Sequence, residues 1–470
     1  LIDAARDNIP LLLTSGRTPI TEAGPSGTRN VHIHWAQEMF DQAGMLREMV
    51  KWDYELRRPD QINDVITRAL EIATTSPAGP VYLSLPREVL GEPAAATQTQ
   101  QPGSRARPRP PTPAPSDVEI LAAWIAEARN PLLITNTLGR DPREAEALAN
   151  LTDRFALPVV SFNPRYFALS SAHPMSMGSL PGPMLQVSDL VIVWEADVPW
   201  YPSNQSPPAG ARIVHIGEDP LYARYPMRSF PSDLTIRSAA LPLLQALTTA
   251  LADRRADMAA RHAALSQRSA DLRATWQSEA QRAGATDTIT LPWLNFCLRD
   301  IIDPTTAVIS EYSFRQEYCP LPAPGSLFGS SAAGGLGWGF GAALGVKLAA
   351  PDRQVIAVLG DGAYMFANPT ACHFIAQNQN LPVLVVIYNN ALYGAVRRAT
   401  LEMYPAATAA QSDGRLLAEL GPAPAYEQIV KAHDGHGERV AHPAELPAAL
   451  KRATAAVRDG RQALVNVICQ

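Results

Sequence analysis

Small polar side chains follow two neighbouring apolar runs in the stretch VIAVLGDGAYMFANPTACHFIAQNQNLPVLVVIYNNALYG (Val355–Gly394). Asp361 lies between two glycines directly after the first run, and Asn389 and Asn390 end the second run. An apolar run without alternation is typical of a parallel strand buried on both faces. Because a right-handed crossover brings the ends of two such strands to one edge, we expect these three side chains to lie together, where open α/β sheets bind ligands.

The chemistry of these side chains indicates a magnesium site. A carboxylate, an amide oxygen and a backbone carbonyl form an incomplete shell of oxygen ligands, which suits Mg²⁺ completed by phosphate oxygens and water. Glycines beside Asp361 let the backbone turn and let a ligand come close. The stretch lacks the GxxxxGK[ST] motif of a P-loop. We expect the helix after the first strand to begin at NPT, with Asn368 as its cap and Pro369 in its first turn.

Composition narrows the class of protein. The formal net charge of -5 and the pI near 6.0 give no basic footprint for nucleic acid or for an acidic membrane surface. No apolar run reaches the length of a membrane span. The four cysteines show no metal-binding or disulfide spacing, which favours a reducing cytoplasm. The chain opens on Leu1 and runs directly into IPLLLTSG, a predicted buried strand, so we expect it to begin in mid-domain.

Alternating strands and helices predict an α/β protein of three doubly wound parallel-sheet domains. The predicted boundaries are residues 1–90, a Pro-rich linker over 91–116, a central domain over 117–250, a connecting helix over 251–285 and a last domain over 286–470. In the first block, a predicted helix places most of its apolar residues on one face, which we expect to lie on a sheet: Ile62, Val65, Ile66, Ala69, Leu70 and Ile72.

The GDG motif, the 26 residues Ala363–Tyr388 and the NN motif together resemble the fingerprint of thiamine diphosphate-dependent enzymes. The resemblance gives the metal roles to Asp361, Asn390 and the carbonyl of Leu392. Upstream, SAAGGLGWGFGAALGVKLAAPDRQVIAVLGDG is similar to benzoylformate decarboxylases and acetolactate synthases, as is KWDYELRRPDQINDVITRALEIATTSPAGPVYLSLPREV in the first block. The resemblance implies three domains in this chain: a partial pyrimidine-binding domain, a central domain and a diphosphate-binding domain. A dinucleotide fingerprint fits GGLGWGFG poorly, because this motif precedes its strand.

The same resemblance implies further roles around the cofactor, thiamine diphosphate. The carbonyl of Gly334 would hold the aminopyrimidine, and Leu336 would support the bent form of the cofactor. The other implied cofactor-binding residues are Gly360, Gly362, Ala363, Ser313 and Tyr393. Ala363 departs from the pattern, because relatives often have Ser there. Three small or apolar residues after the asparagines, Ala395, Val396 and Ala399, would line the substrate pocket.

A catalytic glutamate is also implied, and we expect it upstream of Leu1, since neither Glu22 nor Glu38 matches it. The implied function is a Mg²⁺-dependent reaction on a small 2-oxo acid. NNALYGAVR favours decarboxylation to an aldehyde, and the likeness to acetolactate synthases favours carboligation, so both stay open. A non-catalytic homologue that binds cofactor or a partner subunit is the alternative. By the same resemblance we expect a homodimer or homotetramer.

Overall fold

The computed structural model describes residues 1–93, 108–253, 258–411, 418–422 and 424–469. The chain divides into two compact units, one of residues 1–111 with 331–335 and one of residues 112–330 with 336–470. Most of the predicted linker, residues 94–107, lies outside the described residues. A helix begins at Pro115, near the predicted end of this linker.

The first unit contains a three-stranded parallel sheet in the order β1-β3-β2, which we call the N-terminal sheet. Its strands are β1 (Leu12–Arg17), β2 (Asp53–Glu55) and β3 (Val81–Pro86). Its helices are α1 (Ile2–Arg6), α2 (Ile33–Ala36), α3 (Ile62–Thr74) and α4 (Arg87–Gly91), with 3-10 turns at Ala43–Met45, Arg47–Met49 and Pro59–Gln61.

Burial in the N-terminal sheet corrects two predictions. No residue of β1 is buried, and Leu11 just before it is 41% exposed, because β1 is an edge strand that pairs only with β3 among the described residues. The predicted helix is confirmed as α3, but Leu70 is 47% exposed. The helix buries its small residues Ala69 and Ala73, so Leu70 lies at the margin of the packed face.

The second unit begins with a five-stranded parallel sheet in the order β5-β4-β6-β7-β8, the central sheet. Its strands are β4 (Pro131–Thr135), β5 (Val159–Ser161), β6 (Leu190–Trp194), β7 (Arg212–Gly217) and β8 (Leu234–Arg237). The accompanying helices are α5 (Pro115–Glu127), α6 (Pro142–Phe155), α7 (Gly182–Leu185), α8 (Ala240–Ala250) and α9 (Ala259–Gly284). The long polar helix α9 buries only Ser269 and Ala280 completely, which is consistent with a connecting helix.

The same unit holds a six-stranded parallel sheet in the order β10-β9-β11-β12-β14-β13, the C-terminal sheet. Its strands are β9 (Ala307–Glu311), β10 (Leu327–Gly329), β11 (Val355–Gly360), β12 (Leu384–Asn389), β13 (His436–Val440) and β14 (Ala463–Ile468). Its helices are α10 (Leu291–Leu298), α11 (Trp338–Ala349), α12 (Asp361–Phe366), α13 (Pro369–Asn378), α14 (Gly394–Met403), α15 (Thr408–Gln411), α16 (Tyr426–Lys431) and α17 (Leu446–Arg458), with 3-10 turns at Arg299–Ile301 and Pro443–Glu445.

Apolar clusters cover both faces of the C-terminal sheet. Ile356, Val358 and Val386 pack on one side, whereas Ala357, Leu359 and Val385 pack on the other, so alternate residues of one strand enter different cores. This double burial explains why β11 and β12 appear in the sequence as uninterrupted apolar runs. The predicted α/β class with three parallel sheets is confirmed.

One local prediction in this sheet is wrong. The first helix after β11 begins at Asp361 and not at the NPT motif, because the turn at Gly360 leads directly into α12. The NPT motif begins the next helix, α13, with Pro369 in its first turn as predicted. Asn368 occupies the cap position with φ 53°, but its side chain makes no capping hydrogen bond. In the part of the chain that is described, no helix is long and apolar enough to cross a membrane.

Candidate cofactor and metal site

Asp361 occupies the carboxyl edge of the C-terminal sheet, between the ends of two paired strands. Strands β11 and β12 are parallel neighbours with Gly360 opposite Tyr388, so the residues that follow them meet at one edge, as predicted. The carboxylate of Asp361 is buried; its Oδ1 accepts a hydrogen bond from the amide of Gly362 (2.9 Å). Its Oδ2 is buried without a hydrogen-bond partner among the described residues.

The electrostatics of Asp361 are compatible with cation binding at its carboxylate. Burial raises the pKa of this carboxyl, and the amides of Gly362, Ala391 and Leu392 offset only part of that effect. A buried carboxylate oxygen without a partner costs free energy, which a bound cation would recover. The effect of the Ala391 and Leu392 amides on this pKa also places the loop after β12 beside Asp361.

The loop Asn389–Leu392 (residues 389–392) presents the other expected ligands. The side chain of Asn390 accepts a hydrogen bond from the amide of Leu392 (3.1 Å) and is only partly buried. Ala391 adopts a left-handed conformation with φ 53°, and its carbonyl accepts from Leu420 (2.8 Å). The structure therefore places the loop that contains Asn390 and Leu392 beside Asp361, and their role as metal ligands stays a prediction. Their oxygen-only donor set and the orphaned Oδ2 of Asp361 fit Mg²⁺.

The residues around Asp361 form a close-packed cradle. Gly362 and Ala363 are buried in the first turn of α12, and Gly360 is partly exposed at the end of β11. The ring of Tyr393 lies over Gly362, since a Cβ there would be 2.9 Å from Tyr393 Cε1. Tyr393 also packs edge-on against Phe366, with ring centroids 6.2 Å apart. A side chain at position 362 would therefore displace the Tyr393 ring.

Glu311 supports the neighbouring loop and was not singled out from the sequence. This fully buried carboxylate ends β9 and accepts hydrogen bonds from the amides of Gly337 (2.6 Å) and Gly339 (2.9 Å), at the beginning of α11. It thereby fixes the backbone directly after Leu336, which is itself 37% exposed. The only available signal was an acidic residue at the end of a buried strand.

Ser313 and Gly334 occupy different surroundings. Ser313 is buried, and its carbonyl accepts a hydrogen bond from Asn295 Nδ2 (3.0 Å), which holds the loop after β9. Gly334 is exposed with φ 66° and belongs by its contacts to the first unit, in which the neighbouring Gly335 amide donates to Asp3 (3.0 Å). These observations leave the roles of both residues as predictions.

The three residues predicted to line a substrate pocket lie on α14. Ala395, Val396 and Ala399 are all exposed, and Val396 is 62% exposed. Helix α14 buries none of its residues. The structure therefore presents these side chains at the surface of this unit, just beyond the loop of residues 389–392, and their role in substrate binding stays a prediction.

The comparison with known proteins agrees with this site. Residues 310–467 match the family described as thiamine pyrophosphate enzyme, C-terminal TPP binding domain. The resemblance stated from the sequence is thereby confirmed, and the matched range contains Asp361, Asn390 and the loop between them.

Curated relatives extend the similarity over most of the chain. A benzoylformate decarboxylase of Pseudomonas aeruginosa is 28% identical over 427 residues, which cover 84% of this chain and 72% of the relative. A probable 2-ketoarginine decarboxylase of the same species is 27% identical, with coverages of 84% and 68%. The large subunit of acetolactate synthase isozyme 1 of Escherichia coli is 26% identical, with coverages of 85% and 68%. The chain is thus related to both decarboxylases and acetolactate synthases.

Solved structures share the fold. A thiamine diphosphate-dependent 4-hydroxybenzoylformate decarboxylase of Rhodococcus jostii RHA1 superposes with a TM-score of 0.77 at 20% identity, covering 100% of this chain and 84% of the other. A benzoylformate decarboxylase of Polynucleobacter necessarius gives a TM-score of 0.74 at 20% identity, with coverages of 100% and 83%. The three-sheet architecture is therefore the fold of these enzymes.

Proposed function

We propose that this protein binds thiamine diphosphate with Mg²⁺ and uses it to release carbon dioxide from a 2-oxo acid. The observation that carries the proposal is the orphaned, buried Oδ2 of Asp361 beside the loop of Asn390 and Leu392. Asp361, Asn390 and the carbonyl of Leu392 would hold Mg²⁺, which in turn would hold the diphosphate. When bound, the cofactor supplies the carbon nucleophile and the electron sink for decarboxylation.

The chain's own residues would bind and orient the cofactor. Gly360, Gly362, Ala363 and Ser313 would contact the diphosphate region, and Tyr393 would cover it. Glu311 holds the backbone behind Leu336, so this side chain would be presented to the cofactor in a fixed position. We assign residues 286–470 to the diphosphate-binding domain, 117–250 to the central domain and 1–90 to a partial pyrimidine-binding domain, joined by a linker (91–116) and a connecting helix (251–285).

The step after loss of carbon dioxide determines whether the protein is a decarboxylase or a carboligase. Protonation would give an aldehyde, as the names of two curated relatives and both solved structures suggest by analogy. Ligation to a second carbonyl would give an acetohydroxy acid or a 2-hydroxyketone, as the acetolactate synthase relative suggests. The first step is common to both. We place the protein in the cytoplasm as a homodimer or homotetramer, and exposed apolar side chains such as Phe366 and Phe374 support self-association.

The test is a product assay with the purified full-length gene product, which must contain the expected catalytic glutamate, together with thiamine diphosphate, Mg²⁺ and a panel of aromatic, aliphatic and guanidino 2-oxo acids. Products would be read by mass spectrometry, with Asp361→Asn as the inactive control. We expect carbon dioxide and either an aldehyde or a ligation product, both lost in the variant. Absence of carbon dioxide from every 2-oxo acid, despite Mg²⁺-dependent cofactor binding, would support the non-catalytic alternative and reject the proposed activity.

A further inference from the structure

A buried chain of side-chain hydrogen bonds ends at the metal-binding loop. Glu427 Oε2 accepts from Asn466 Nδ2 (2.8 Å), and Asn466 Oδ1 accepts from Asn389 Nδ2 (2.9 Å). Asn389 Oδ1 in turn accepts from the backbone amide of Ala391 (3.1 Å). All three side chains are buried, with exposed fractions of 7%, 1% and 3%. We call Glu427, Asn466 and Asn389 the carboxylate–amide relay.

Glu427 gives the carboxylate–amide relay its direction. A carboxylate only accepts hydrogen bonds, so Asn466 must turn its NH₂ group toward Glu427 and its oxygen toward Asn389. Asn389 must then turn its own NH₂ group toward Asn466, which leaves its oxygen for the Ala391 amide. An amide at position 427 would remove this constraint, because it could either donate or accept.

The hydrogen bond at the end of the relay stabilises a strained turn. Ala391 has φ 53°, a left-handed conformation that is unfavourable for an alanine because its Cβ lies too close to the following carbonyl oxygen. The Asn389 oxygen holds the amide of this residue, and the next amide, Leu392, donates to Asn390 Oδ1 (3.1 Å). The turn thus sets the directions of the Asn390 side chain and the Leu392 carbonyl, which are two of the three expected metal ligands.

We propose that Glu427, through Asn466 and Asn389, is a positioning residue that holds the Ala391 turn in the conformation that binds the metal. None of the three touches the metal in this proposal. The inference deepens the proposed function and rests on it for the identity of the ligand, but the relay and the strained turn exist in the chain by themselves. A partial signal is present in the sequence, since Asn466 interrupts the apolar strand ALVNVI.

The test compares the parent with Glu427→Gln by hydrogen exchange without cofactor, using peptides that contain Ala391 and Leu392. We expect exchange there to accelerate by about 10-fold, because the amide of Ala391 loses its fixed acceptor. With thiamine diphosphate present, the concentration of Mg²⁺ that half-saturates cofactor binding, measured by calorimetry, should rise by about 10-fold.

The matched control is Glu438→Gln, the same substitution on the neighbouring strand β13. Glu438 binds Arg452 and His436 and lies outside the relay. Glu438→Gln should leave unchanged both the hydrogen exchange at Ala391 and Leu392 and the half-saturating concentration of Mg²⁺. Unchanged exchange at Ala391 and Leu392 in folded Glu427→Gln, or equal acceleration in both variants, would overturn the proposal.

A double variant tests the direction of the relay. In Glu427→Gln/Asn389→Asp the carboxylate moves to the other end, so the reversed chain can again present an acceptor to Ala391 with the same net charge. We expect slow exchange to return, which a general packing role for Glu427 would not predict; continued fast exchange would count against the relay. If the parent fails to bind cofactor with Mg²⁺, the proposed function fails, whereas the exchange experiments still decide the relay.

Discussion

The carboxyl edges of the central and C-terminal sheets carry similar acidic residues, but these residues differ in their hydrogen-bond partners. Both edges have carboxylates just after buried strands: Glu195 and Asp197 follow β6, and Asp361 follows β11. In the central sheet both oxygens of Asp197 have partners, since Oδ1 accepts from the Val198 amide (2.7 Å) and Oδ2 from Tyr225 (2.7 Å) and from the buried Arg165. In the C-terminal sheet, Asp361 Oδ2 has none among the described residues.

The difference shows in the pKa values. Burial raises the pKa of Asp197, but the charge and hydrogen bonds of Arg165 and the hydroxyl of Tyr225 bring it below its usual range. Burial raises the pKa of Asp361, and only backbone amides oppose this. A buried carboxylate that is paired within the fold is needed by its partner, whose charge would otherwise be uncompensated, whereas one with an unpaired oxygen is suited to an external cation.

The largest expected effect comes from making the same substitution at both edges. Asp361→Asn should weaken Mg²⁺-dependent binding of thiamine diphosphate by about 1000-fold, or about 4 kcal/mol, because it removes the charge of the proposed metal ligand. The thermal stability of the Asp361→Asn variant should be unchanged or higher than that of the parent, since an unpaired buried charge is removed. Calorimetric titration and thermal unfolding measure the two quantities.

Asp197→Asn should show the opposite pattern, a loss of stability with cofactor affinity retained. It leaves Arg165, which is 5% exposed, without its counter-charge and should lower the free energy of unfolding by about 3 kcal/mol. Cofactor affinity of the folded fraction should stay within about twofold of the parent. Retained metal-dependent binding in Asp361→Asn, or its loss in folded Asp197→Asn, would remove the contrast between the two edges.

A smaller effect concerns the pH dependence of the central edge. Burial raises the pKa of Glu195 to about 7, so near neutral pH the folded state retains a proton that the unfolded chain, in which this carboxyl has its ordinary pKa of 4.5, has released. Stability from this group is therefore present below pH 4.5 and is lost as the pH rises to about 7, by roughly 2–3 kcal/mol. Glu195→Gln should abolish this loss.

Urea unfolding at pH 5 and pH 8 tests the expectation for Glu195. The stability of Glu195→Gln relative to the parent should increase between the two pH values, and cofactor binding should be unaffected. Other titrating groups cancel in this difference, because both proteins contain them. A difference that does not vary with pH would contradict the assignment of a raised pKa to Glu195.

The smallest effect is expected from a single methyl group at each edge. Gly362→Ala places a Cβ 2.9 Å from the Tyr393 ring, which must move, and should weaken cofactor binding by about fivefold. Gly217→Ala at the central edge places a Cβ 3.2 Å from Glu195 Oε1 and should lower stability by about 1 kcal/mol without changing affinity. Equal affinities for the two variants would show that the cradle around Gly362 is not part of the cofactor site.

Strong local patterns predicted the fold and the edge on which the site lies. The uninterrupted apolar runs of β11 and β12 and the glycines around Asp361 were enough to place Asp361 beside the asparagines. Burial was predicted less well, because it depends on tertiary packing. Strand β1 was predicted as buried but lies at a sheet edge, and Leu70 lies outside the packed face of α3. The beginning of α12 at Asp361 was missed because two helices follow β11 in quick succession.

The sequence by itself determined the α/β class, the parallel strands and the residue types at the carboxyl edge of β11 and β12, because strand periodicity and turn chemistry are local properties. Tertiary structure alone decided which polar groups have partners. Glu427, Asn466 and Asn389 are separated by up to 77 positions. The bond between Asn389 and Asn466 exists because β12 and β14 are neighbours in the sheet, and Glu427 reaches Asn466 from helix α16. Likewise, Asp361 and Asp197 are indistinguishable as side chains. Only the folded chain supplies one with an arginine and leaves the other with an open oxygen.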